Sequence, residues 1–193
     1  MAARPKAAEQ PSLQLEMDST FTYNGKPVAL PKVITNSGGI ISYNFEGSGA
    51  AQGYQSSDPP SEVGKYTVTV SVAADLAGNF SAATASTEFE IQPAPINLQL
   101  SGDVTQGTVG QAVNLTVKIT GLPTGEKLDV AQLVFEAEGA QQTTPPSETP
   151  EGFSATYTLE ESAAGGKAIF SVKLADDCQN YTATTATYEV PVE

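Results

Sequence analysis

The sequence predicts an all-β chain of two tandem antiparallel β-sandwiches joined by a short proline-containing linker. Three observations carry this. Apolar and polar residues alternate with period two in many short runs, 17 Gly and 13 Pro punctuate those runs, and one order of runs occurs twice within 193 residues. Period-two alternation marks a strand with one buried face. Strands this frequent, separated by turn formers, suit a sandwich.

The duplication is visible as three aligned blocks. GKPVALPKVIT at 25–35 sits over GQAVNLTVKIT at 110–120 with an offset of 85, which also superposes LQL at 13–15 on LQL at 98–100. PPSE at 59–62 matches PPSE at 145–148 with an offset of 86, and GKYTVTVSV at 64–72 matches GKAIFSVKL at 166–174 with an offset of 102. The last match continues through NFSAAT at 79–84 against NYTATT at 180–185, and FEIQP at 89–93 against YEVPV at 188–192. Constant order with a changing offset indicates one module duplicated and then altered in its loops. About 16 extra residues lie between Glu148 and Gly166 in the second copy.

Taken in order, residues 1–11 read as a polar tail and 12–92 as the first module. Leu13–Met17 opens that module as a strand. The next run carries Val28, Leu30, Lys32 and Ile34 toward one face, broken at Pro31-Lys32, where a proline that cannot donate to a ladder predicts an edge strand or kink. Ile40–Phe45 follows. In 64–72, Tyr66, Val68, Val70 and Val72 point to the core, with Thr67, Thr69 and Ser71 outward. ADLAGNFSAA at 74–83 has room for one short helical turn, and Glu88–Gln92 closes the module.

Residues 93–95, Pro-Ala-Pro, form the expected linker, an extended and stiff connection. The second module, 96–193, begins with Ile96–Leu100 and continues with 112–120, whose Val113, Leu115, Val117 and Ile119 face inward. Val130–Glu136 comes next. The extra segment then supplies an added strand near 153–159, in which Phe153, Ala155, Tyr157 and Leu159 alternate with Ser and Thr. Ala168, Phe170, Val172 and Leu174 repeat the stripe of Tyr66 to Val72, and Thr184–Val190 ends the module.

Composition narrows the function. A net charge of −13 and a pI near 4.2 leave no basic stripe for phosphates, so nucleic acid and anionic membrane surfaces are not expected partners. Apolar runs are only a few residues long, so membrane insertion is not expected either. His and Trp are absent, which removes the commonest general base and metal ligand. The single cysteine, Cys178, has no partner for a disulfide and fits a small buried side chain. MAARPKAAEQP has no apolar core, so no signal peptide is read in this chain.

Tyr23-Asn24-Gly25-Lys26-Pro27, Val63-Gly64-Lys65-Tyr66-Thr67-Val68-Thr69-Val70, Ala74-Asp75, Gly78-Asn79-Phe80 and Phe89-Glu90-Ile91 together resemble the MBG family of bacterial immunoglobulin-like repeats. That family pairs a Y-x-G-K/T entry with a G-x-Y-x-V-x-V strand and an N-Y/F loop. The second module, with Val109-Gly110-Gln111-Ala112-Val113-Asn114-Leu115 and Ala164 to Tyr181, is similar to neighbouring bacterial immunoglobulin-like repeats, in which G-Q-x-V-x-L opens a strand. The resemblance implies extracellular modules of large Gram-positive surface proteins, exported by a signal outside this chain. It implies stalks, spacers or adhesion units, and brings no catalytic residues.

Neither an enzyme nor a bound cofactor or metal is expected, because no titratable pair clusters at a useful spacing. The first expectation is therefore a monomeric, non-catalytic stalk or spacer whose partners are the neighbouring domains of a larger surface protein. The alternative is an adhesin segment that binds host protein or glycan through module-end loops around 46–62 and 136–152. Within those loops Tyr54, Gln55, Asp58, Glu138 and Gln141 are the candidate recognition residues, Tyr54 as an exposed stacking ring.

Three weaker candidates accompany them. Asp75 and Asn79, with Asp176, Asp177 and Asn180, carry oxygens suited to Ca²⁺, though turn residues bonding their own backbone read better. Lys118, Asn180 and Glu136 form a conceivable isopeptide trio. Asn79, Asn114 and Asn180 match the glycosylation acceptor pattern, for which chance is the better account in a chain this rich in Ser and Thr.

Overall fold

A computed structural model describes residues 7–193, which fall into two compact all-β units, one ending at Gln92 and the other running Pro93–Glu193. The first unit contains β1 (Leu13–Glu16), β2 (Thr20–Thr22), β3 (Lys32–Thr35), β4 (Ile41–Ser48), β5 (Gln55–Ser56), β6 (Gly64–Val72) and β7 (Ala83–Gln92). One sheet has the order β2-β7-β6-β4-β5, antiparallel except for the parallel pairing of β2 with β7. The facing sheet is only β1 with β3.

The core forms where the alternation of β6 meets the facing sheet. Tyr66, Val68, Val70 and Val72 are buried, as are Phe45 of β4 and Phe89 and Ile91 of β7. The Phe89 ring stacks on Tyr66 at 5.4 Å and meets Phe21 and Phe45 edge-on at 5.7 and 6.3 Å, so aromatic packing ties β2, β4, β6 and β7 together.

The stripe expected at Val28, Leu30, Lys32 and Ile34 is corrected by the structure. Pairing of Leu15 with Val33 and Leu13 with Thr35 turns Val33 and Thr35 inward, while Leu30 and Ile34 are 48% and 39% exposed. Pro31 shifts the parity: residues 27–31 are not strand, and Val28 N–H donates to the Pro60 carbonyl at 3.0 Å instead of to a ladder. The turn formed by 76–79 takes the place of a helical turn in 74–83, with Gly78 N–H donating to the Asp75 carbonyl.

The second unit contains β8 (Ala94–Pro95), β9 (Asn97–Gly102), β10 (Ala112–Thr120), β11 (Leu133–Glu138), β12 (Ala140–Thr149), β13 (Gly152–Leu159), β14 (Gly166–Leu174), β15 (Tyr181–Thr182) and β16 (Ala186–Val192). A four-stranded sheet β12-β13-β10-β9 faces a three-stranded sheet β11-β14-β16. This four-plus-three order is that of a seven-stranded immunoglobulin-like sandwich. Val113, Leu115, Tyr157, Leu159, Ala168, Phe170, Val190 and Val192 fill the space between the sheets.

β13 explains a contrast within the repeat. Leu115 is 2% exposed because β13 pairs along β10, setting Ala155 opposite Leu115; its counterpart Leu30, which has no such strand beside it, is 48% exposed. The expected loop at 136–152 is corrected too. Residues 136–138 end β11, and 140–149 are β12, paired with β13 through two register shifts around Thr144. Its exposed polar composition hides it from any hydrophobic pattern, and Pro145-Pro146 on this edge strand blunts further pairing.

Of the residues read as linker, Ala94 and Pro95 form β8, parallel to β15. Ala94 N–H donates to the Asn180 carbonyl and Ile96 N–H to Thr182, both at 2.9 Å. The first unit repeats this in the stretch read as tail, where Glu9 bridges to Phe80 in parallel; residues 1–6 of that stretch lie outside the described residues.

Tyr66 has a testable consequence. Its hydroxyl donates to the Glu62 carbonyl at 2.8 Å, and burial, followed by the charges of Glu62 and Tyr54, pushes its pKa up to about 12. The neutral phenol is favoured in the folded state. This contribution, about 2–3 kcal/mol, is therefore complete below the ordinary tyrosine pKa near 10 and is lost as pH rises toward 12. Urea unfolding followed by circular dichroism from pH 9 to about 12 should show falling stability. The Tyr66→Phe variant should lose part of that slope, with Tyr157, also raised by burial, keeping the rest.

Candidate functional site

The five candidate recognition residues are not gathered into one loop surface. Tyr54 is half-buried, not an exposed ring: it packs edge-on against Tyr66 at 5.6 Å, and its hydroxyl donates to the Asp58 carbonyl at 2.7 Å. Gln55 lies in β5, opposite Glu46. Asp58 is exposed, and its backbone N–H donates to the Ser56 hydroxyl. In the second unit Glu138 and Gln141 are exposed strand residues, opposite Ile169 and Thr158.

In the oxygen-rich turn of the first unit the Asp75 carboxylate is engaged locally. Asp75 Oδ1 accepts from Phe80 N–H at 2.8 Å and Oδ2 from Asn79 Nδ2 at 3.4 Å, while the Asn180 carbonyl accepts from Ala94 N–H. The isopeptide trio is dispersed: Lys118 on β10 pairs with Glu151 at 3.4 Å, and Glu136 on β11, in the opposite sheet, pairs with Lys173 at 3.0 Å. Asn114, one of the glycosylation matches, is fully engaged. Its side-chain N–H and backbone N–H reach the two Asp103 carboxylate oxygens at 2.7 and 2.8 Å, and its side-chain carbonyl accepts from Thr156 at 2.9 Å. These bonds hold the Asp103 carboxyl below its ordinary pKa.

Cys178 is buried and unpaired, with Gln132 Nε2 at 3.8 Å from its sulfur. Burial, with Asp177 nearby, pushes the thiol pKa up, so the thiolate that would react or bind a metal is disfavoured.

The second unit also carries a cleft of about 340 Å³ between the segment following β10 and the β12–β13 hairpin. Ile119, Leu122, Leu128 and Phe153 make its apolar lining, and Leu128 and Phe153 are buried. Carboxylates stand around it. Glu126 is half-buried and accepts from the Tyr181 hydroxyl at 3.2 Å; Glu148, near the end of β12, and Glu151, in the hairpin turn, are exposed. Lys127 also lines the cleft, and Lys118 reaches Glu151 from β10. The Thr149 hydroxyl, in the same lining, is buried without a hydrogen-bond partner. Residues 149–152 belong to the segment by which the two copies differ in length. That difference is the signal in the sequence that marks this place.

No protein-family profile and no curated protein matches the sequence. Among solved structures, the chain is similar to the Yersinia pseudotuberculosis adhesin InvE, with a TM-score of 0.41 and 14% identity over 95% of this chain and 58% of that one. The chain thus spans less than two thirds of that structure's length. The D0–D1 domain of intimin gives a TM-score of 0.31 and 15% identity over 92% of this chain and 97% of that one. Domains 4 and 5 of the S-layer protein SbsC give 0.30 and 14% over 97% and 99%.

Proposed function

We propose that this chain is a non-catalytic pair of immunoglobulin-like modules that acts as a stalk or spacer on the outside of a bacterial cell, continuing into neighbouring domains of a larger surface protein. One observation carries the reading: within each unit the chain enters at one end of the sandwich and leaves at the other. In the first unit Glu9 bridges to Phe80, beside the β6–β7 turn, whereas Gln92 leaves at the far end of β7, where Ile91 pairs with Gly64. In the second, Ala94 pairs with Tyr181 beside the β14–β16 connection, and Val192 lies opposite Gly166 at the other end.

β6 and β14 have nine residues each, so entry and exit are separated by roughly 30 Å in each unit. Modules threaded this way extend a chain when placed in series. The duplication, the acidic surface and the resemblance of both modules to bacterial surface repeats support the same reading.

Small-angle X-ray scattering tests it. A single globule of this length has a radius of gyration of about 16 Å. A spacer is expected to give a clearly larger value and an extended distance distribution, unchanged between low and high salt. A radius near the globular value would refute the reading.

A further inference from the structure

We propose that Asn24 is a site of spontaneous covalent modification, converting through a cyclic imide with Gly25 into aspartate and isoaspartate, with water as the co-reactant. This goes beyond the spacer reading and stands independently of it. Asn24 is the asparagine of this chain that precedes a glycine; Asn36 precedes a serine, and the others precede Leu, Phe or Tyr. Asn24, Gly25 and Lys26 are all exposed. The Lys26 backbone N–H donates to Asn24 Oδ1 at 2.9 Å, which makes an Asx turn. To reach that N–H the Asn24 side chain folds back across the Gly25 peptide, bringing its Cγ toward the Gly25 nitrogen. The Gly25 N–H makes no hydrogen bond among the described residues.

The chemistry needs only hydroxide and water. Hydroxide removes the Gly25 N–H proton, and the nitrogen attacks Asn24 Cγ. A bond forms between that nitrogen and Cγ, the Cγ–Nδ2 bond breaks, and Nδ2 takes a proton from water and leaves as ammonia. Three features of the turn assist. The Lys26 N–H stabilises the negative charge that develops on Oδ1, Gly25 has no Cβ to obstruct ring closure, and the Asx turn holds the reacting groups together. Exposure then admits water to the imide. Opening at Cγ gives aspartate; opening at the main-chain carbonyl gives isoaspartate, whose backbone runs through Cβ and is longer by one methylene. No atom changes oxidation state, and either product adds one negative charge. Other asparagines are held differently. Asn36 Oδ1 accepts from Ser12 N–H at 2.8 Å, far away in sequence, and the Asn114 amide is tied at both ends, to Asp103 and Thr156. The position of Asn24 gives the change a structural consequence. Tyr23 N–H donates to the Gln92 carbonyl at 2.8 Å and Val28 N–H to the Pro60 carbonyl at 3.0 Å, so isoaspartate lengthens a connection fixed on both sides.

The test incubates the full chain in heavy-oxygen water, from neutral to mildly alkaline pH, and follows every asparagine by peptide mass spectrometry. Asn24 is expected to lose ammonia and take up heavy oxygen before any other asparagine changes, and to yield isoaspartate beside aspartate. The reaction should quicken as pH rises, because the Gly25 N–H must give up its proton. It should run no more slowly in the folded chain than in the same chain held in urea, since the turn itself supplies the geometry. Hydrogen exchange at Tyr23 and Val28 should become faster in the isoaspartate form. The Asn24→Ser variant, which keeps an oxygen acceptor but has no amide, should hold its exchange rates constant through the same incubation. Aspartate without isoaspartate, a rate indifferent to pH, slower reaction in the folded chain than in urea, or no reaction would overturn the proposal, as would another asparagine reacting first. Unchanged exchange at Tyr23 and Val28 would overturn the structural consequence drawn from the anchored turn.

Discussion

Replacing Phe170 with alanine is expected to cost the chain about 3–5 kcal/mol. Phe170 has no exposed surface, sits at the centre of β14 with Ala137 and Tyr188 opposite it on either side, and meets the Tyr157 ring edge-on at 5.3 Å from the other sheet. Truncation removes a central contact between the two sheets and leaves a cavity that neighbouring side chains on rigid strands cannot fill. Small domains hold only about 5–15 kcal/mol in total, so the loss approaches the whole stability of a weak module. Urea unfolding by circular dichroism should show an early transition for the second unit. Phe170→Leu, which keeps much of the volume, should fall well short of that loss. A Phe170→Ala midpoint indistinguishable from the parent would show that the interior is not packed as described.

The second large effect is expected at Gly152. A Cβ there would lie 2.1 Å from the Val117 carbonyl oxygen, a backbone atom held in the β10–β13 ladder, and the residue has a φ of +153°. Alanine therefore combines a clash that only a backbone shift can relieve with a dihedral that L-residues rarely adopt. A cost of about 2–4 kcal/mol follows, together with loosening of the first residues of β13. Gly165 is the control. It has a φ of +71° but open space around it, so Gly165→Ala should cost only the backbone term, about 1–2 kcal/mol. Equal effects at the two positions would show that close approach of the strands is not what requires glycine at 152. Hydrogen exchange at Ile119, whose N–H donates to the Glu151 carbonyl at 3.0 Å, should report the loosening directly.

The legible parts of the fold share one physical property. β6, β10, β13 and β14 have a dry face and a wet face, so burial writes a period-two pattern into Tyr66 to Val72, Val113 to Val117, Phe153 to Leu159 and Ala168 to Val172. Strands without that asymmetry were invisible. β12 lies at a sheet edge with nearly every residue exposed, so its polar sequence reads as a loop. β8 is two residues long and is defined by its hydrogen bonds to the stretch after Asn180, with no hydrophobic pattern of its own.

Side-chain candidates fared according to their surroundings. An aromatic among Gly, Gln and Ser, such as Tyr54, carries no local sign that a ring twelve residues away, on Tyr66, will cover it. The length difference between the copies marks the hairpin beside the cleft, but the carboxylates were hidden, because Glu126 and Glu148 are far apart in sequence and ordinary in their local context. What brings them to one cavity is the return of the chain through the β12–β13 hairpin beside the segment after β10.

By itself, then, the sequence determined the all-β class, the duplication, the inward stripes of the central strands and the acidic character, because each is written in composition or in local period. Only the tertiary structure decided the inverted parity after Pro31, the bare Leu30 beside the covered Leu115, the strand character of 140–149 and the assembly of the cleft. Those depend on which strand lies beside which, and pairing between distant segments is chosen by the whole sandwich closing around its core.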